Sequence, residues 1–196
     1  MDYPNTGRTV AEELTQKIAT IGENMSIRRM VKVSVESGVV VPYTHNAIAD
    51  GLGRIGVLVG LTSTADNTAL VDLGKQIAMH IAATSPASIA VGDLNPEMVA
   101  REREVLIEQA KASGKSREIA EKMVEGRLRK FYEEVVLLEQ TFVIDGENKV
   151  GKVIDSAAKD AGADIVLSQF ALFILGDGIE KEEADFAAEV AATLST

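Results

Sequence analysis

The stretch EIAEKMVEGRLRKFYEEVVLLEQTFVID, Glu118–Asp145, begins as a heavily charged helix and turns into a short apolar run, Phe142-Val143-Ile144. Apolar residues recur at Val124, Leu128, Phe131, Val135 and Leu138, with spacings of 4, 3, 4 and 3. That alternation predicts the seam of a two-stranded coiled coil rather than the broader stripe of a core helix. Upstream, Pro96 to Ala112 is a second helical run, and Ser113-Gly114-Lys115-Ser116 between them has turn chemistry. Helices joined by so short a loop run antiparallel. Pro96–Leu138 is therefore expected to be a helical hairpin.

Working outward, Thr9 to Ile21 carries Val10, Leu14, Ile18 and Ile21 at helical spacing, and Gly22 to Asn24 reads as its stop. Arg29 to Val35 alternates, with Val31, Val33 and Val35 on one face, which predicts a strand. Further strands are expected at Val39 to His45 and Arg54 to Leu61, and a helix over Asn67 to Ala83 with Leu70, Leu73, Ile77 and Ile81 on one face. Short connections between the strands favour an antiparallel sheet. Beyond the hairpin come a helix over Lys149–Ala161, a last strand over Ile165–Leu175 and a terminal helix over Glu180–Leu194. The expected fold is α+β: an antiparallel sheet packed against helices, an inserted antiparallel coiled-coil hairpin and a C-terminal helix. In these terms residues 1–94 and 139–177 form the core, 95–138 the hairpin and 178–196 a C-terminal helical module.

The 196 residues suffice for one good core with an appendage. With 4% aromatics, that core must be built from Ala, Val, Ile and Leu. There is no cysteine, hence no disulfide and no thiolate metal site. A net charge of −10 with no uninterrupted basic run argues against direct nucleic-acid binding. No apolar run reaches the ~18–20 residues that span a bilayer, and no signal-peptide pattern opens the chain, so the expected location is cytoplasmic, with no membrane contact.

Material for catalysis is scarce. There is no phosphate-binding loop with its lysine and no GxSxG elbow. Asp50-Gly51-Leu52-Gly53 reads as an ordinary turn. The two histidines, His45 and His80, have no spaced carboxylate cluster that would make a zinc site. His80, beside the apolar stripe of its helix, reads as packed, and His45 as a loop residue. Asp145, Glu147, Asp177 and Glu180 sit in turns, where carboxylates cap and solvate. The chain is expected not to be an enzyme and to need no cofactor.

Four segments, in order, resemble translation elongation factor Ts, the nucleotide-exchange partner of elongation factor Tu. They are IGENMSIRR (Ile21–Arg29), RIGVLVGL with KQIAMHIAA (Arg54–Leu61 and Lys75–Ala83), the Glu118–Gln140 helix, and GIEKEEADFAAEVAA (Gly178–Ala192). The resemblance implies an α+β fold with a coiled-coil hairpin and a role in binding elongation factor Tu to promote GDP release. It also implies where the partner is met: Ile21 and Gly22 of the IGEN segment, His45, then Phe142, Val143 and Ile144, of which Val143 and Ile144 are the principal contacts, and Phe186 and Val190 of the terminal helix. Thr141 stands where the family has proline.

Typical members open with a small three-helix module and carry a Thr-Asp-Phe loop that wedges into the partner's nucleotide region. Neither is among these residues, since IGEN is reached by Ile21 and Asp185-Phe186 follows Ala184 within the terminal helix. The expectation is a short form or fragment that keeps part of the binding surface and exchanges nucleotide weakly. The alternative is a structural or self-association module, a homodimer in which the hairpin pairs chains and apolar surface is covered, without exchange activity.

Overall fold

The alternating apolar residues of the middle strand organise most of the chain. In the computed structural model, which describes residues 1–112, 114 and 117–179, the contacts divide the chain into Met1–Lys32 and the part from Val33 onward. The expected terminal helix, with Phe186 and Val190, lies outside the described residues.

In the larger unit, β1 (Gly38–His45), β2 (Ile55–Ser63) and β3 (Ile165–Ile174) form an antiparallel sheet in the order β1-β2-β3. Val57, Val59 and Leu61 point from β2 to one face, as the two-residue period requires. That face is covered by the helix Asn67–Thr84, here α2, through Leu70, Leu73, Ile77 and Ile81. The helix Val150–Ala161, α5, adds Val150 and Ile154 to the same core. Between β2 and β3 the register shifts at Gly60/Leu61, leaving Ser168 as the extra residue of a bulge, its hydroxyl 3.2 Å from the Gly60 carbonyl.

The predicted strand over Arg29–Val35 does not form. Val33 and Val35 instead lie over Gly60, on the sheet face opposite α2, where both reach within 3.2 Å of the position a Cβ would take. The alternation was real, but it marks side chains laid over a sheet rather than a ladder along its edge.

The hairpin helices are α3 (Pro96–Ala112) and α4 (Arg117–Val135), each roughly 25–28 Å long at 1.5 Å per residue. They pack antiparallel through a small core of Leu106, Ala110, Val124 and Leu128, flanked by Ile107, Ala120 and Tyr132. Arg127 donates across the pair to Gln109. The expected seam is corrected in two places. The α4 row runs Ala120, Val124, Leu128, Tyr132, a repeat of four that leaves Phe131 half-buried beside it. Leu138 is not on α4 at all: the helix ends at Val135, and Leu138 packs against the main core from a short 3-10 turn, Leu137–Glu139.

What ends α4 is the chain entering the hairpin. The amide of Ala87 donates to the carbonyl of Val135 at 2.8 Å, and the amides of Leu137 and Leu138 donate to the carbonyls of Ser88 and Ile89. The two feet of the hairpin are thus stitched side by side, and Val136 and Leu137 are fully buried.

The smaller unit holds α1 (Val10–Ile21). Thr9 and Glu12 form a reciprocal capping box: the Thr9 hydroxyl accepts the Glu12 amide at 3.3 Å and the Glu12 carboxylate accepts the Thr9 amide at 2.7 Å. Gly22, at φ 80°, closes the other end, donating its amide to the Ile18 carbonyl at 2.8 Å. No helix among the described residues is long and apolar enough to cross a membrane.

Candidate functional site

The apolar run after the hairpin becomes a tied loop. Thr141 and Lys149 bridge at its base, the Phe142 amide donates to the Asn148 carbonyl at 2.8 Å, and the Gly146 amide donates back to the Phe142 carbonyl at 2.8 Å. At the turn, Oδ1 of Asp145 accepts the amides of Glu147 (2.9 Å) and Asn148 (3.1 Å), while Oδ2 accepts from the Asn148 side chain at 2.9 Å. These bonds, led by that of the Glu147 amide, hold the Asp145 carboxyl below the usual carboxylate range.

Phe142, one of the expected partner contacts, is only 2% exposed: within this chain it is the loop's anchor. An apolar ring in a loop that passes a core gap gains more by filling the gap than by facing water. Its neighbours behave differently. Val143 and Ile144 are 46% and 47% exposed, two adjacent apolar side chains on a loop whose backbone is closed by hydrogen bonds.

Beneath the loop is His80, fully buried on α2, its ring centroid 5.7 Å from that of Phe142. The Val143 amide lies 3.2 Å from Nδ1 of His80, and Nε2 lies 2.9 Å from Oε1 of Gln140. The protonation follows from the partners. Because an amide N–H can only donate, Nδ1 accepts and the ring proton sits on Nε2, which donates to Gln140. The glutamine is oriented by its own amide nitrogen, which donates to the Glu134 carbonyl at 2.7 Å. The Thr84 hydroxyl is within reach of the His80 carbonyl (2.9 Å) and of Oε1 of Gln140 (3.0 Å). Burial pushes the His80 imidazole below its ordinary pKa, against a smaller opposing effect of the Gln140 bond.

Sequence reasoning placed His80 in a packed role, which the structure bears out, but passed over Gln140. The available signal was a lone amide side chain between two apolar runs, Val135–Leu138 and Phe142–Ile144.

The remaining expected contacts lie elsewhere. His45 is exposed at the end of β1, its Nδ1 2.9 Å from the Tyr43 hydroxyl. Ile21, 57% exposed, and Gly22 end α1 in the smaller unit. Among the described residues there is no group of three His, Cys, Asp or Glu side chains placed to hold a metal ion. Nor does any buried side-chain nitrogen or oxygen among them lack a hydrogen-bond partner. What the arrangement offers is an anchored apolar surface suited to binding.

The comparisons with known proteins agree in one direction. The family model described as Elongation factor TS matches residues 1–177. Elongation factor Ts of Rhodospirillum centenum is 58% identical over 190 residues, covering 97% of this chain and 62% of that protein. Elongation factor Ts of Rhodospirillum rubrum is 61% identical over 193 residues, 98% of this chain and 62% of that protein. That of Gluconobacter oxydans is 60% identical over 191 residues, 97% of this chain and 61% of that protein. The chain spans roughly three fifths of the length of these relatives, so the likeness is nearly complete on its side and partial on theirs. With a family match through residues 1–177 and such identity across almost every residue, the chain belongs to the elongation factor Ts family.

Proposed function

We propose that this chain binds elongation factor Tu and favours its nucleotide-free state, so promoting GDP release without making or breaking a bond. The observation that carries the reading is the exposed Val143–Ile144 pair on a closed loop anchored by Phe142. Adjacent apolar side chains held at that exposure lose little conformational freedom on docking, which is what a binding surface needs. Ile21 and Gly22 at the end of α1, His45 at the end of β1, and Phe186 and Val190 further along the chain are proposed as additional contacts.

The mechanism is linkage. A protein that binds the nucleotide-free partner more tightly than the GDP-bound one weakens GDP binding by the same factor, and each ~1.4 kcal/mol of preference is tenfold in affinity. Gripping contacts can be strong and still exchange poorly unless some of them oppose the nucleotide or its Mg²⁺. These 196 residues contain no Thr-Asp-Phe sequence to act there. The chain is therefore expected to bind elongation factor Tu while accelerating exchange only weakly, in the cytoplasm where translation takes place.

The test is release of fluorescent GDP from elongation factor Tu, with this chain titrated in at fixed Mg²⁺, beside calorimetric binding. Binding with little acceleration supports the proposal. Strong acceleration would show that no wedge loop is needed. A stable dimer with no binding would favour self-association instead.

A further inference from the structure

We propose that His80 is a positioning residue for docking: as the neutral tautomer with its proton on Nε2, it accepts the Val143 amide on Nδ1 and fixes the exposed Val143–Ile144 pair. This rests on the proposed role of that pair in binding. The geometry that carries it is a chain of bonds from the interior to the surface. The Glu134 carbonyl orients the Gln140 amide, Gln140 takes the Nε2 proton, and the remaining ring lone pair takes the Val143 N–H. Each link selects the next, and only one tautomer satisfies all of them.

The arrangement has a built-in release. A proton added to Nδ1 would face the Val143 N–H, donor against donor, at a ring that is fully buried. The titratable groups on the elements packed around the ring do not offset that charge. Glu133 of α4 and Glu139 of the 3-10 turn both reach Lys149, at 3.4 Å and 2.6 Å, and Glu134 is exposed. Asp145 is engaged by the amides of its own loop. On α5, Lys152 reaches Asn148 at 2.8 Å, and Asp155, Lys159 and Asp160 are exposed. On α2 itself, Asp72 and Lys75 lie more than a turn away from His80 in sequence. β1 and β2 contribute only Tyr43 and His45, which are hydrogen-bonded to each other at the end of β1.

Two measurements test the assignment. Nitrogen-15 NMR of the imidazoles in the intact chain should show His80 as the Nε2–H tautomer at pH 7.5. The Val143 amide should shift with His80 as the pH falls. In His80→Leu that amide should lose hydrogen-exchange protection at least tenfold, and in His80→Asn, whose side chain keeps an oxygen near the Nδ1 position, most of the protection should return. A proton on Nδ1, or a Val143 amide indifferent to both substitutions, would overturn the proposal.

Affinity for elongation factor Tu then separates the inference from the reading it rests on. Affinity should fall about fivefold or more in His80→Leu, less in His80→Asn, and His80→Leu should cost little further when Val143 and Ile144 are already alanine. If the double alanine variant weakens binding but His80→Leu does not, the positioning role fails alone. If the double alanine variant binds like the parent, the docking role of the loop fails and takes this inference with it.

Discussion

Gly74 and Val41 are in closer approach than any other residue type at position 74 would allow. A Cβ built on Gly74 would sit 2.5 Å from Cγ2 of Val41 and 3.0 Å from its Cβ. A glycine in mid-helix costs ~1 kcal/mol relative to alanine, so α2 gives up helix propensity to lie close against β1. Val41 is β-branched and held at 2% exposure, so it cannot swing aside. Gly74→Ala is therefore expected to destabilise by about 1–3 kcal/mol despite its better propensity. Val41→Ala in the same chain should recover part of that loss. Urea unfolding of the single and double variants checks both signs.

α1 offers a test of capping in the smaller unit. Thr9→Ala removes the hydroxyl that accepts the Glu12 amide and frees the carboxylate that reaches back. Helix N-cap losses of this kind cost ~1 kcal/mol. At the other end, Gly22 at φ 80° has open space where a Cβ would go, so the penalty of Gly22→Ala is conformational, about 1 kcal/mol, and not steric. Both variants should fray α1, Thr9→Ala from its start and Gly22→Ala from the end that presents Ile21. Amide exchange of Ile18 to Gly22 distinguishes them, because only Gly22→Ala should strip protection there.

The strands, α2 and α5 were legible because their apolar residues obey one period each and their ends carry turn residues. The hairpin was legible as two antiparallel helices, but its packing row was not. Phe131 and Tyr132 are adjacent aromatics, and the heptad count selects the first while the packing row reaches the second. Leu138 fitted the seam by spacing alone, and what removed it was backbone pairing with Ser88 and Ile89, nearly 50 residues earlier. Arg29–Val35 failed for a related reason. Alternation reports that one face is covered, not whether a ladder or a sheet face covers it. Of the candidate site, the pair Val143–Ile144 was singled out by the resemblance to the family and not by any pattern in the residues themselves. The buried support under it was not, because a hydrogen bond between His80 and Gln140 leaves no periodic trace across 60 residues.

Acid should act in two separate windows. The folded pKa of His80 is lowered, chiefly by burial, so the unfolded chain binds its proton more readily. Stability is then fully present above the unfolded value of about 6.5 and is lost as pH falls from there toward the depressed folded value. Asp145, Glu12 and Glu13 are also lowered, by hydrogen bonds from the Glu147 amide, the Thr9 amide and Arg8 respectively. For carboxylates the depression stabilises the folded chain above their unfolded pKa of ~4, and that gain disappears as pH falls through the folded values. Urea midpoints should decline as pH falls below about 6.5 in the parent, and this slope should flatten in His80→Leu. Asp145→Asn should leave that window alone and reduce only the loss below about pH 4. If both variants followed the parent throughout, the assignments would be wrong.

The loop sets one buried side chain beside two exposed ones at neighbouring positions. Phe142 is in the core, so Phe142→Ala should cost about 3–5 kcal/mol of stability through lost burial and the cavity it leaves. Any loss of binding would then follow from a disordered loop. Val143→Ser and Ile144→Ser remove side chains that are about half exposed, with stability expected to change by no more than ~1 kcal/mol. Their joint effect on affinity for elongation factor Tu should be at least tenfold, about 1.4 kcal/mol, if the pair forms the buried centre of an interface. Calorimetry and urea unfolding on the same samples give both numbers. A pair of serines that binds as well as the parent would move the interface off this loop. A pair that unfolds as readily as Phe142→Ala would show that Val143 and Ile144 serve the core.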